Sequence, residues 1–134
     1  PKSTTILQAA RMINIEIPDP DISITERKQN RDNDEPVIKS IAGFIDLHKI
    51  PRDQGGIILF YNINDELLFV GKARKLRQRV KKHLEDNVSP LKDHRDEVYR
   101  IDVCIVEDAM ERDIYETYIV NKLRPKYNIE KVFY

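Results

Sequence analysis

A run of cations and one oddly placed carboxylate are the residues of this chain that could do chemistry. Lys72, Arg74, Lys75, Arg77, Arg79, Lys81 and Lys82 follow one another with no acid between them, and His83 comes next. The chain as a whole balances 23 Lys and Arg against 23 Asp and Glu. A neutral protein that gathers its cations in one place carries the electrostatic footprint expected for a phosphate backbone, although basic helices are also ordinary solvated faces. The carboxylate is Glu116, which falls on the same helical arc as Ile119, Val120 and Leu123. A buried carboxylate is costly unless something positive meets it. Arg112, four residues earlier, would supply an ion pair. A divalent cation is the other reading, since one or two carboxylates with waters suffice for a hard ion. The residues alone leave both open.

The elements that must position these groups are legible in the surrounding pattern. Gly56 to Asn62 and Leu67 to Gly71 are apolar runs split by the Asn- and Asp-bearing turn around 62–66, which predicts a β-hairpin. A helix from Lys72 to about Leu84 is expected to follow at once, with Ala73, Leu76, Val80 and Leu84 as its buried stripe. On that wheel Lys72, Arg79 and His83 share one arc beside the stripe, while Arg74, Arg77 and Lys81 point to solvent. The stretch 85–97 reads as a loop in which His94 has no evident partner. Alternation over 99–107 predicts a third strand, with Ile101, Val103 and Ile105 on one face and Asp102, Cys104 and Val106 on the other. Asp108 and Glu111 have capping-box spacing for a helix over about 109–122, which Pro125 stops.

Upstream, Ile6, Leu7, Ala10 and Ile13 recur at helical spacing, predicting a short helix over 3–14. Residues 15–35, with Pro18 and Pro20, read as an extended arm and then a polar linker. Pro36, Val37, Ile41, Phe44 and Ile45 predict a second helix up to His48, a residue read as a surface or satisfied histidine. The expected architecture is α+β: a small three-stranded antiparallel sheet flanked by helices over 51–134, behind an N-terminal extension over 1–50. With 134 residues, 34% charged and 40% hydrophobic, the composition is that of an ordinary globular chain. It has no apolar run near the roughly 18 residues of a membrane span, and a cytoplasmic protein without membrane partners is expected. A single cysteine, Cys104, excludes an internal disulfide and makes no zinc pattern with three scattered histidines. The chain begins at Pro1 and not at Met, which suggests a processed protein or a fragment.

From about Gly55 to Asn128 the motifs taken in order resemble the GIY-YIG nuclease superfamily, whose members include homing endonucleases and the incision subunit of bacterial excision repair. Gly56-Ile57-Ile58 stands where the family has GIY, Phe69-Val70-Gly71 stands where it has YIG, and the following GKARKLRQRV is similar to the excision-repair version of the next motif. The resemblance implies that Lys72 and Arg79 are active-site cations, His83 a further polar group, Glu116 the metal ligand, and Asn128 of RPKYN a structural or active-site amide. It also implies a Mg²⁺ or Mn²⁺ cofactor and a nucleic-acid partner, DNA before RNA, met by Lys72, Arg74, Lys75, Arg79 and Lys82. The departures are Ile58 and Phe69. They occupy the motif tyrosine positions and have no ionisable hydroxyl, and Tyr61 alternates to the face opposite Ile58.

Three readings follow. The first is a metal-dependent endonuclease of DNA repair or processing, with water activated by the metal, by His83 or by Lys72. The second is a nucleic-acid-binding or repair-recruitment module that has lost its base. The third is a plain α/β domain whose basic helix is solvated and whose partner is another protein, docked through the N-terminal extension.

Overall fold

The computed structural model describes residues 15–29 and 36–128. In chain order these form strand β1 (Ile22–Thr25), strand β2 (Gly56–Tyr61), strand β3 (Leu67–Ala73), helix α1 (Leu76–Glu85), strand β4 (Arg100–Ile105) and helix α2 (Ala109–Leu123). Short 3-10 turns lie at Leu47–Lys49 and Arg95–Glu97. The expected helix over 3–14 falls outside the described residues.

The α+β architecture is as expected, but the sheet has four strands, ordered β1-β4-β2-β3 and antiparallel throughout. The added strand comes from the extended arm, where Ile22 pairs with Val103 and Ile24 with Ile101. Phe44, Leu47 and Ile50 from the same N-terminal part bury in the core beside α1. The described part of the extension therefore packs on the sheet and its helices.

Alternation divides the sheet between two apolar layers. Ile58, Phe60, Ile101 and Val103 face α1, which contributes Leu76, Val80 and Leu84. Ile57, Leu59, Val70, Cys104 and Val106 face α2, which contributes Ile119 and Val120. A register shift beside Phe60 breaks the alternation of β3, so that Leu68 and Phe69 both enter the α1 layer. Gly56 lies against β4, opposite Ile105, and a Cβ there would collide with the Cys104 carbonyl oxygen.

Two helical expectations are corrected. Residues 36–46 contain no helix; Ala42 and Gly43 both take positive φ, 50° and 88°, and reverse the chain so that Ile41 bridges Phe44. Gly43 at the centre of the run weakens helix propensity, while Phe44, Leu47 and Ile50 reach the core from an irregular path. Val37, which the helical spacing turned inward, is 70% exposed. A bidentate ion pair fastens this path, as Arg27 donates to the Asp46 carboxylate at 2.6 and 2.8 Å and holds that carboxyl below its ordinary range.

The second correction concerns Gly71, which does not end its strand. β3 runs on to Ala73 and α1 begins only at Leu76. Gly71 pairs with Ile58 and Lys72 with Ile57 inside the ladder, whose hydrogen bonds continue through both residues. Lys72 is therefore a strand residue on the α2 side of the sheet, and its place on a common helical arc with Arg79 and His83 does not hold. Helix α2 follows expectation closely. Asp108 accepts the Glu111 N–H at 2.9 Å as N-cap, and Arg124 closes the helix in the left-handed region.

Candidate active site

The cations converge although they come from three kinds of backbone. Lys72 projects from β3, Arg74 and Lys75 from the connection to α1, and Arg79 and Lys82 from α1 itself, and all five line one groove of about 810 Å³. The opposite wall is the first turn of α2, through Ala109, Arg112 and Asp113. Lys72 is paired with Asp113 across the groove. Arg112 is buried, and one guanidinium nitrogen donates to the Val106 and Glu107 carbonyls, each at 2.9 Å. The groove is thus a cationic concavity walled by strand end, helix and helix.

Glu116 is buried, at 5% exposure, within α2. It lies three and four residues beyond Asp113 and Arg112, so all three share one face of the helix, but Glu116 itself is not among the residues that line the groove. Asp113 was not singled out from the sequence, although its spacing from Glu116 was a usable signal.

His83, Ile58 and Phe69 form a second group on the α1 side of the sheet. The His83 ring centroid is 5.1 Å from Phe69 and 5.5 Å from Phe60. Its Nδ1 lies 2.7 Å from Ser89 Oγ. Burial, reinforced by the Arg79 cation, lowers its pKa to about 4, so the ring is neutral near neutral pH. Ile58 is fully buried and Phe69 nearly so. Tyr61 faces the other layer, where Arg100 lies 4.2 Å from its ring centroid.

Four further residues have defined surroundings. Asn128 is buried and clasps β3 from outside, its Oδ1 accepting the Val70 N–H at 2.8 Å and its Nδ2 donating to the Val70 carbonyl at 2.9 Å. Arg77 is not merely solvated: it donates to the Ile50 and His48 carbonyls at 2.8 and 2.7 Å, fastening α1 to the preceding turn. His94 has partners after all, stacking on Tyr127 at 3.9 Å with Nδ1 3.1 Å from a Glu97 oxygen. Cys104 is buried and its thiol is pushed up to about 11 by burial, which excludes it as a nucleophile.

Residues 54–129 match the family model of the UvrC-like GIY-YIG domain. The chain belongs to this family. Among relatives, the uncharacterized protein YurQ of Bacillus subtilis is 68% identical over 123 residues, spanning 92% of this chain and 99% of YurQ, so the likeness extends well beyond the family domain. The UvrABC system protein C of Clostridium tetani is 33% identical over 60% of this chain but only 14% of its own length, and that of Nautilia profundicola is 34% identical over 58% and 14%. The GIY-YIG fold thus corresponds to a small part of those larger proteins. Among solved structures, the GIY-YIG N-terminal endonuclease domain of UvrC from Thermotoga maritima, bound to magnesium as its catalytic divalent cation, superposes with a TM-score of 0.55, covering 63% of this chain and 97% of that domain at 24% identity. A tyrosine-to-phenylalanine point mutant of that domain, also bound to its catalytic divalent cation, covers the same share of each chain at 25% identity and the same TM-score. The GIY-YIG domain described here is therefore nuclease-like in family and fold. No helix among its described residues is long and apolar enough to cross a membrane.

Proposed function

We propose that this GIY-YIG domain is a divalent-metal-dependent endonuclease that hydrolyses nucleic-acid phosphodiesters, DNA before RNA, in cytoplasmic DNA repair or processing. The observation that carries the reading is the groove, in which five cations from β3, its connection and α1 face the helix bearing Glu116. A backbone phosphate entering it would be met on one wall by Lys72, Arg74, Lys75, Arg79 and Lys82.

The candidate ligand in this reading is the carboxylate of Glu116, a hard oxygen donor of the kind such a cation takes. Among the described residues no cluster of three or more His, Cys, Asp or Glu accompanies it. Mg²⁺ and Mn²⁺ suit such a site because much of their coordination can remain water, whereas a structural zinc would require more protein ligands. Bound to Glu116, the cation would polarise a phosphoryl oxygen and stabilise the leaving oxygen. Arg79 and Lys72 would offset charge that develops on the phosphate, the first by its rigid planar fork and the second as a point charge that must first leave Asp113. Asn128 positions the strand that carries Lys72.

The second reading is a nucleic-acid-binding or repair-recruitment module on the same fold, and one observation favours it. Ile58 and Phe69, taken as the motif tyrosine positions, are apolar and packed into the core. Neither can accept a proton from water.

Nicking of supercoiled and branched DNA by the intact protein, with Mg²⁺ or Mn²⁺, separates the two. The nuclease reading expects metal-dependent nicking that falls at least about a hundredfold in Glu116→Ala while salt-dependent DNA binding persists. Binding without any metal-dependent nicking establishes the second reading, and cleavage unchanged in a folded Glu116→Ala protein excludes this metal site. Ile58→Tyr with Phe69→Tyr tests whether a hydroxyl was all that was missing.

A further inference from the structure

Ser89 lies in the loop after α1, outside every motif that the sequence offered, yet it holds the His83 ring. Its own N–H donates to the Asp86 carboxylate at 2.9 Å, as does the Val88 N–H at 3.1 Å, so a side-chain turn at Asp86 fixes where the serine sits. The hydroxyl is buried with its residue, at 5% exposure. One lone pair of Oγ accepts the Leu91 N–H at 3.1 Å, and His83 Nδ1 lies 2.7 Å away. A serine hydroxyl has one proton to donate and a second lone pair to offer, and His83 Nδ1 is the side-chain partner beside it, as acceptor or donor according to the tautomer. When Nδ1 accepts, the proton of the neutral imidazole resides on Nε2. That edge of the ring lies over Gly71, where a Cβ would be 3.4 Å from Nε2 and 3.3 Å from the Phe69 ring.

We propose that Ser89 is a positioning residue that fixes His83 as the neutral Nε2–H tautomer, so that the ring serves the site as a hydrogen-bond donor and not as a proton acceptor. The inference rests on the nuclease reading for its purpose, since that reading counts His83 among the polar groups of the site. The tautomer itself is independent of that reading. The low pKa of His83 agrees with a ring that stays neutral while it donates.

Long-range ¹H–¹⁵N correlation spectra of the uniformly ¹⁵N-labelled full chain at pH 7 read the tautomer directly. A protonated Nε2 and an unprotonated Nδ1 are expected for His83. Ser89→Ala should move the population toward Nδ1–H, and Ser89→Thr should restore Nε2–H. A wild-type ring carrying its proton on Nδ1, or a tautomer indifferent to Ser89→Ala in a folded protein, overturns the proposal; should Ser89→Ala fail to fold, the wild-type spectrum and Ser89→Thr decide it. In the nicking assay Ser89→Ala is expected to lower kcat on the order of tenfold with little change in KM. Absence of nicking by the wild type would overturn the nuclease reading and leave the tautomer to be decided by the spectrum.

Discussion

His83 shows at the scale of one residue how packing redirects chemistry. In the unfolded chain its ring takes up a proton near 6.5, whereas in the native protein it does so only near about 4. Between those values the unfolded state binds more protons, so stability falls as pH drops through that window and is unaffected by this group above it. The full loss is on the order of 3 kcal/mol. Urea unfolding of the wild type should therefore lose about 2 kcal/mol more between pH 7 and pH 4.5 than His83→Gln does, because carboxylates such as Asp46 act equally in both proteins. Equal pH dependence of the two would show that the ring is not held neutral. The sequence places His83 beside Arg79 on one helix, but the Phe60 and Phe69 rings that desolvate it arrive from the sheet.

At the scale of the element, β3 is an edge strand that presents Lys72 to the groove, and an exposed edge is mobile and open to wrong pairing unless something covers it. Asn128 covers it at Val70, while Lys126 and Tyr127 donate their N–H groups to the Leu67 and Leu68 carbonyls at 3.2 and 2.8 Å. Asn128→Ala removes both side-chain bonds and strands two backbone groups, at an expected cost of about 2 to 3 kcal/mol by chemical denaturation. A variant with native stability that has lost only nicking would show that the amide acts in chemistry and not as a clasp. The pairing of β2 with β4 has its own requirement. Gly56→Ala drives a methyl into the Cys104 carbonyl, a backbone atom that cannot swing aside, and is expected to cost about 3 kcal/mol or more. A Tm within a few degrees of the wild type would refute that.

For the whole molecule, net charge says nothing, because 23 cations offset 23 acids; what matters is that the fold brings five cations from β3, its connection and α1 to one concavity, with Arg112 of α2 on the opposite wall. Under either proposed reading, those five cations are expected to make DNA affinity salt-dependent. Arg79→Ala should reduce the slope of log affinity against log salt by about one unit. Arg77→Ala is the counterpart, since its guanidinium is committed to the Ile50 and His48 carbonyls; it should lower stability and leave the slope alone. A reduced slope for Arg77→Ala with no reduction for Arg79→Ala would reverse the assignment of the two faces of α1.

By itself the sequence determined the local grammar of the protein. The apolar run of β2, the alternation of β4, the turn chemistry between β2 and β3, the Asp108 cap and the apolar stripe of α1 are short-range features, and these elements form close to where their own residues call for them, although α1 begins at Leu76 and not at Lys72. The motif order sufficed for the family because it is carried by those same local features. Tertiary structure decided what depends on partners distant in the chain. β1 is a strand because β4 offers an edge 79 residues away, as the Ser23–Asp102 bond marks. Residues 36–46 abandon their helical periodicity because burying Phe44 and pairing Asp46 with Arg27 is worth more than helix hydrogen bonds around a glycine. β3 extends past Gly71 because β2 continues to pair with it. That extension moves Lys72 from helix to strand, and the groove exists because a strand end, a connection and two helices meet there, which no period in the sequence can express.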